Sequence, residues 1–404
     1  DGVAALRRAG RGVVLTLHTP VPAGNERYDT TLATELLAGP AAEIDLTPEQ
    51  VLQLGRGPNG VWPEHFDLTA FGMRRAAAVN AVSQLHGRTA THTWQPIIGR
   101  EVRAVTNGVH VATWQAEPMR AALARRDLSA ITDRDLWDAH AEQKRQMIDF
   151  LGGRLTRQAV RHGIAPESVG DLAGALDPQA LTVGFARRFA TYKRADLILH
   201  DLHRLSNLLA NPDSPVQIIF AGKAHPADEP GRAVVGRVVE ASRRVGTAGR
   251  IFFIEDYDLR VARFLVAGVD VWLNTPRRPH EASGTSGMKA AINGVPSLSI
   301  LDGWWDEAFD GANGWAIGHP SVDFEGDTDA ADAEALYHVL ETEVVPTFFN
   351  RDSPDGLPGR WIGFMRGALA TGLTRFTAER ALAEYVDRLY RPVVGNGEVA
   401  AGIG

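Results

Sequence analysis

Between Glu281 and Lys289 the sequence reads Glu-Ala-Ser-Gly-Thr-Ser-Gly-Met-Lys, so small and hydroxylated side chains crowd just ahead of one lysine. Gly284 and Gly287 let a backbone approach a ligand closely, Ser283 and Thr285 add hydroxyl donors, and Met288 to Ile292 reads as the opening of a helix. Such a segment suits a phosphate. Two other readings fail on spacing. A nucleotide phosphate loop needs G-x-x-x-x-G-K-[ST], which neither these glycines nor Ala290 after the lysine satisfies. A zinc helix begun at His280-Glu281 needs a second histidine where Gly284 stands, so no metal is implied. A glycine-rich turn that only caps a helix remains open on these residues alone.

Alternating β-rich and amphipathic runs must position this segment. Leu181 to Ala186, Val216 to Ala221, Ile251 to Ile254, Val269 to Leu273 and Ser297 to Leu301 read as strands, with helices between them. This βαβ alternation predicts an α/β fold with a parallel sheet and right-handed crossovers, and such sheets bind ligands beyond the carboxyl ends of their strands. Arg187, Arg188, Tyr192 and Lys193 follow the first strand, Gly222 and Lys223 the second, Glu255 and Tyr257 the third, and Glu281 to Lys289 the fourth. Solvated surface scatter accounts for any single lysine. Four successive loops argue for a rim of cationic and hydroxyl groups.

Elsewhere, Val13 to Leu17 reads as a buried strand, Thr47 to Gly55 as a short helix and Thr69 to His86 as one longer helix. Thr132-Asp133-Arg134-Asp135 resembles a capping box, and Leu136, Ala139, Met147, Phe150, Leu151 and Leu155 follow at roughly helical period. Ala378 to Tyr390 reads as a helix whose apolar spacing marks packing. At 404 residues and 44% hydrophobic content there is room for two domains. The absence of cysteine excludes disulfides and thiol nucleophiles, and it is compatible with a cytoplasmic setting. Net charge is −7 and Lys and Arg are scattered, which argues against a nucleic-acid partner. There is no apolar run long enough for a bilayer and no basic signal-peptide start at Asp1-Gly2-Val3, so the expectation is a soluble chain without a membrane partner.

The segment from Glu281 to Lys289 resembles the E-A-S-G-T-x-x-M-K stretch of the α-glucan (glycogen, starch and maltodextrin) phosphorylases. Arg188-Phe-Ala-Thr-Tyr192-Lys193-Arg194 looks like that family's phosphate segment, Glu255-Asp256-Tyr257 its E-N-Y, Thr106-Asn107-Gly108-Val109 its T-N-G-[IV], and Leu17-His18-Thr19-Pro20 its H-T segment, all in the family's order. The wording from His18 to Asn25 and Leu301-Asp-Gly-Trp-Trp-Asp306 look closer to the shorter bacterial branch. The resemblance implies a GT-B architecture of two Rossmann-like halves with an active site between them. Residues 1–107 then look like the tail of the N-terminal domain and 108–404 like most or all of the C-terminal, pyridoxal phosphate-binding domain. It also implies that a complete active site needs the N-terminal part of the family fold, and that the enzyme is a homodimer.

The implied activity is that of a glycosyltransferase: phosphorolysis, with retention, of terminal α-1,4-linked glucosyl units from a glucan to inorganic phosphate, giving glucose 1-phosphate. By resemblance Lys289 forms the Schiff base that anchors pyridoxal 5′-phosphate, Thr285, Tyr257 and Arg187 help bind that cofactor, and Trp114 packs beside it. The family uses the cofactor's 5′-phosphate as proton donor and acceptor. Two phosphates then lie close together, and cationic groups must offset their repulsion: Arg188 as a bidentate fork, Lys193 as a compact charge. Asn107, Glu281, Ser283 and Gly284 match positions that hydrogen-bond the glucosyl unit, and His18 the histidine near the reacting carbon. Glu281 is not assigned as a nucleophile, because a retaining glycosidase needs a second carboxylate about 5 Å away and the resemblance supplies none.

Three departures bear on the phosphate site. Arg187 stands where many relatives have lysine, Asp258 follows Tyr257 where animal enzymes have arginine, and His110 to Thr113 departs from the family's T-P-R-R run. Two rival functions stay in view: a cofactor- or glucan-binding fragment without turnover, and a nucleotide-sugar glycosyltransferase of the same layout. Lys289 and the lack of a nucleotide signature oppose the second.

Overall fold

The computed structural model describes residues 2–395 apart from 22–23, 58–64, 126–127, 165–173, 244–248, 320–327 and 352. Pro22 and Ala23 of the run from His18 to Asn25 therefore lie outside the described residues. The chain forms two compact units, one of Asp1–Asn107, Pro279–Ser283 and Ala378–Gly404, the other of Gly108–Arg278 and Gly284–Thr377.

In the first unit β1 (Val14–Thr16) is followed by β2 (Arg27–Asp29), which pairs antiparallel with β3 (His65–Asp67), and then by β4 (Ala78–Ala81) and β5 (Arg103–Ala104). The order β1-β4-β5 is parallel throughout, with Leu15 opposite Val79 and Asn80 opposite Arg103. Its core gathers Leu17, Met73, Val79, Trp94 and Val102. The helix Pro48–Leu54 has a true capping box, with Thr47 and Gln50 exchanging side-chain and backbone bonds.

The single helix expected over Thr69 to His86 is not formed. A helix Leu68–Arg75, the strand β4 and a second helix Gln84–Ile98 occupy and extend that span. The alanine-rich run from Ala76 has good helical propensity, but it lies between β1 and β5, where Val79, Asn80 and Ala81 are buried, Val79 paired with β1, Ala81 with β5 and Asn80 with both. Asn80 is held there by the Thr16 hydroxyl at 2.8 Å and donates to the Tyr385 hydroxyl at 3.1 Å. Ser83, accepting from the His86 backbone N–H at 3.1 Å, then starts the next helix.

The second unit is an α/β structure on a parallel sheet of β6 (Leu181–Ala186), β7 (Val216–Ala221), β8 (Ile251–Ile254), β9 (Val271–Asn274), β10 (Ser297–Ile300) and β11 (Gly314–Ile317). Every residue of β6 and β7 is buried, as befits strands covered on both faces. Their order is β11-β10-β9-β6-β7-β8. The chain enters at β6, builds outward through β7 and β8, then returns to the far side of β6 with β9 and continues outward, which is the doubly wound pattern. The strand expected from Val269 begins at Val271, because Val269 caps the preceding helix Leu259–Gly268. The long helix expected after Thr132 is observed as Asp133–Arg161, with the Thr132 hydroxyl accepting from the Asp135 backbone at 3.1 Å. No described helix is long and apolar enough to cross a membrane.

Candidate functional site

The reversal of strand order falls between β6 and β9, and the sheet opens there at its carboxyl ends. Arg187 follows β6, and its guanidinium donates to the side-chain carbonyl of Asn274, the last residue of β9. Asn274 in turn donates to the Ser299 hydroxyl at 3.1 Å, so the arginine rests on a bonded relay across β9 and β10. The β7 end lies against the same loop. Gly222 has φ +154°, and a Cβ there would stand 2.0 Å from the Arg187 carbonyl oxygen.

Beyond Arg187 the loop is locked by a buried residue that the sequence did not single out. Arg194, at φ +45°, donates to the carbonyls of Thr275 at 3.0 Å and Pro276 at 2.9 Å and pairs with Asp329 and Asp332, each at 2.8 Å. The Thr275 hydroxyl bonds back to the carbonyls of Lys193 and Arg194, and the Arg277 N–H to that of Tyr192 at 2.7 Å. Lys193 is thereby held buried, its ammonium 4.6 Å from the Tyr192 ring centre. Arg188 is exposed.

Lys289, Trp114 and Tyr257 converge on one cavity of about 370 Å³, with Ser286 and Leu259 also in its wall. The Lys289 ammonium stands 3.7 Å from the Trp114 ring centre. Burial lowers the pKa of Lys289 below the ordinary lysine value. Burial raises that of Tyr257, with Arg187 opposing and Asp258 adding to the shift. Lys289 rides on the helix Thr285–Ala291, which begins three residues before the expected Met288. Gly284 starts it in a left-handed conformation at φ +85°, and Gly287 makes room for the Trp304 ring, 2.8 Å from where its Cβ would lie.

Asn293 sets the two halves of this cavity against each other. Fully buried, it donates to the carbonyls of Trp114 at 2.9 Å and Lys289 at 2.8 Å, and accepts from the Ala116 N–H at 2.7 Å and the Gln143 amide at 3.1 Å. All four positions of its amide are filled. In sequence Asn293-Gly294 reads only as a turn, which hides this role.

The remaining candidates belong to the first unit. His18 is exposed just past β1, whereas His86 nearby is buried and pushed down to about 4, chiefly by desolvation. Asn107 donates its N–H to the Val82 carbonyl at 3.1 Å and accepts at its own carbonyl from Arg380 at 2.9 Å. Glu281 and Ser283 are buried, and the Ser283 hydroxyl has no hydrogen-bond partner among the described residues.

The carbohydrate phosphorylase family matches residues 64–308. The maltodextrin phosphorylase of Thermococcus litoralis is 40% identical over 95% of this chain and 47% of its own length. The glycogen phosphorylase of Aquifex aeolicus is 38% identical over 94% of the chain and 57% of its own length, and that of Mycobacterium tuberculosis 37% over 98% and 49%. The chain thus spans about half the length of the curated relatives it matches. The family match covers more than half of the chain and takes in both the strand-end loops and the Lys289 cavity, so the chain belongs to the carbohydrate phosphorylase family.

Proposed function

We propose that this chain carries the cofactor- and phosphate-binding part of an α-glucan phosphorylase, transferring a terminal α-1,4-linked glucosyl unit from a glucan to inorganic phosphate. Its two units are read as the tail of one Rossmann-like domain and most of a second, as in a GT-B fold. The observation that carries the proposal is the convergence of Lys289, Trp114 and Tyr257 on one cavity. The names of the relatives support the substrate class.

Pyridoxal 5′-phosphate fits these residues. The cavity, at about 370 Å³, lies within the roughly 300–1,000 Å³ usual for small-molecule pockets. It offers a half-buried amine, an indole face and a phenol. When bound, the cofactor supplies a phosphate group as proton donor and acceptor for the transfer. A neutral amine is the form that condenses with an aldehyde, and burial shifts Lys289 toward it. The raised pKa of Tyr257 keeps its hydroxyl protonated, hence a donor, at neutral pH. Arg187, braced by Asn274, and the buried Lys193 supply fixed positive charge that offsets repulsion between two phosphates. Exposed Arg188 offers a bidentate fork to the incoming anion. Thr285 is assigned to the cofactor; His18, Asn107, Glu281, Ser283 and Gly284 are assigned to the glucosyl hydroxyls. The unpartnered Ser283 hydroxyl supports that last assignment, since a sugar hydroxyl would satisfy it.

The test is to incubate the protein with pyridoxal phosphate, reduce with borohydride and locate the modified residue by peptide mass. Modification at Lys289 is expected, and modification elsewhere overturns the reading. Arg188→Ala is expected to weaken inorganic phosphate binding to the cofactor-loaded protein by about tenfold while cofactor uptake is unchanged. Lost uptake with unchanged phosphate affinity would remove Arg188 from the phosphate site.

A further inference from the structure

Half-buried Trp114 borders two neighbouring openings. Besides the Lys289 cavity it lines an open cleft of about 570 Å³, shared with Phe264 of the helix Leu259–Gly268 and with Arg120, Arg260 and Arg263. Phe264 is stacked on Phe150, with ring centres 4.3 Å apart and planes at 17°, and the Arg260 guanidinium lies 4.9 Å from the Phe150 ring centre. The cleft therefore has aromatic walls beneath a cationic rim.

That rim carries uncompensated charge. Neighbouring Arg145, Arg154 and Arg161 each have a carboxylate partner, whereas Arg120, Arg260 and Arg263 have none among the described residues. Glu117 is the single carboxylate among the described lining residues, so three guanidinium charges less one leave +2 from these residues around the cleft. In a chain of net charge −7 this concentration is local. A phosphate monoester carries about −1.5 to −2 at neutral pH, which matches it, and guanidinium forks suit phosphate oxygens. The aromatic walls favour a flat ring as the rest of the ligand.

We propose that this cleft binds a small aromatic or heteroaromatic phosphate monoester, with its ring against Trp114 and Phe264 and its phosphate toward Arg120 and Arg263. The cleft adjoins the Lys289 cavity along Trp114 and Leu259, and the proposal does not rest on the cofactor assignment. Because Trp114 forms a wall of both, an occupant would bear on the indole that faces Lys289.

Calorimetric titration with phenyl phosphate tests this on the whole chain, both as it stands and after pyridoxal phosphate has been fixed by borohydride. One site per chain is expected in both forms, with inorganic phosphate and phenol each binding at least about tenfold more weakly. Arg120→Gln and Arg263→Gln should each weaken phenyl phosphate binding about fivefold to tenfold, and Arg391→Gln, which removes an exposed pair with Asp387, should not. Thermal melts would verify that the surface variants are folded. The proposal is overturned if phenyl phosphate does not bind, if inorganic phosphate alone binds as tightly, or if the double variant Arg120→Gln/Arg263→Gln binds undiminished. A failure of pyridoxal phosphate to modify Lys289 would sink the cofactor reading and leave these outcomes intact.

Discussion

Asn293 joins two carbonyls, one backbone N–H and one side-chain amide that belong to four different residues around the Lys289 cavity. Truncating it leaves all four without that partner in a buried or half-buried setting, where an unpartnered group costs about 1–3 kcal/mol. Asn293→Ala should therefore destabilise the protein by about 3 kcal/mol or more in urea unfolding and slow modification of Lys289 by pyridoxal phosphate. His86 acts on stability through protons. Its folded pKa of about 4 lies below the ordinary 6.5, so above pH 6.5 the side chain is neutral whether folded or unfolded. Between pH 6.5 and 4 the unfolded chain takes up a proton that the folded one refuses, and stability falls as pH falls, by up to about 3 kcal/mol from this group. His86→Gln should flatten that part of the stability profile, measured by unfolding at each pH.

Buried charge ties the long helix Asp133–Arg161 to the sheet. Asp270, just before β9, meets the Lys144 ammonium at 2.6 Å, the His140 imidazole at 3.0 Å and the Thr182 N–H at 2.7 Å. Desolvation alone would raise the pKa of Asp270, but Lys144 and His140 together hold it below the usual carboxylate value. Lys144→Met leaves that carboxylate buried without its cation and should cost about 3–5 kcal/mol in denaturant unfolding. Gly222→Ala drives a methyl into the Arg187 carbonyl and should displace the β6 loop, reducing stability by about 1–3 kcal/mol and phosphate affinity with it. Elements with one dominant pattern were legible: β6, β7 and β8 as apolar runs, and the long helix from its Thr132 cap and spaced apolar residues. The run from Ala76 to Ala81 was not, because alanine favours helix locally and only its pairing between β1 and β5 makes it a strand. Asp270, Asn274 and Arg194 were hidden for a related reason. Their partners lie far off in sequence, so that even Arg194, inside a recognisable segment, shows no sign there of what it holds.

At the scale of the molecule, binding and folding are linked. A cofactor that binds only the folded chain at 100 times its Kd adds about 2.7 kcal/mol of stability. Pyridoxal phosphate should accordingly raise the melting temperature, and Lys289→Ala should remove most of that gain; equal gains in both proteins would argue against a tether at Lys289. The parallel sheet was legible from the βαβ alternation and the nearness of Trp114 to Lys289 only from the family resemblance, since 175 residues separate them and Asn293 does the joining; the strand reversal between β6 and β9 was not legible, because alternation alone does not fix strand order. The filled amide of Asn293 also bears on how the protein ages. An asparagine followed by glycine is the dipeptide most open to deamidation, in which the glycine nitrogen attacks the side-chain carbonyl. Here the Gly294 N–H is committed to the Ala291 carbonyl at 3.0 Å and the side chain is bonded on every side, so ring closure must wait for local opening. Conversion of Asn293 to aspartate or isoaspartate would then accumulate as a chemical clock, recording the time each molecule has spent with this part of its interior undone.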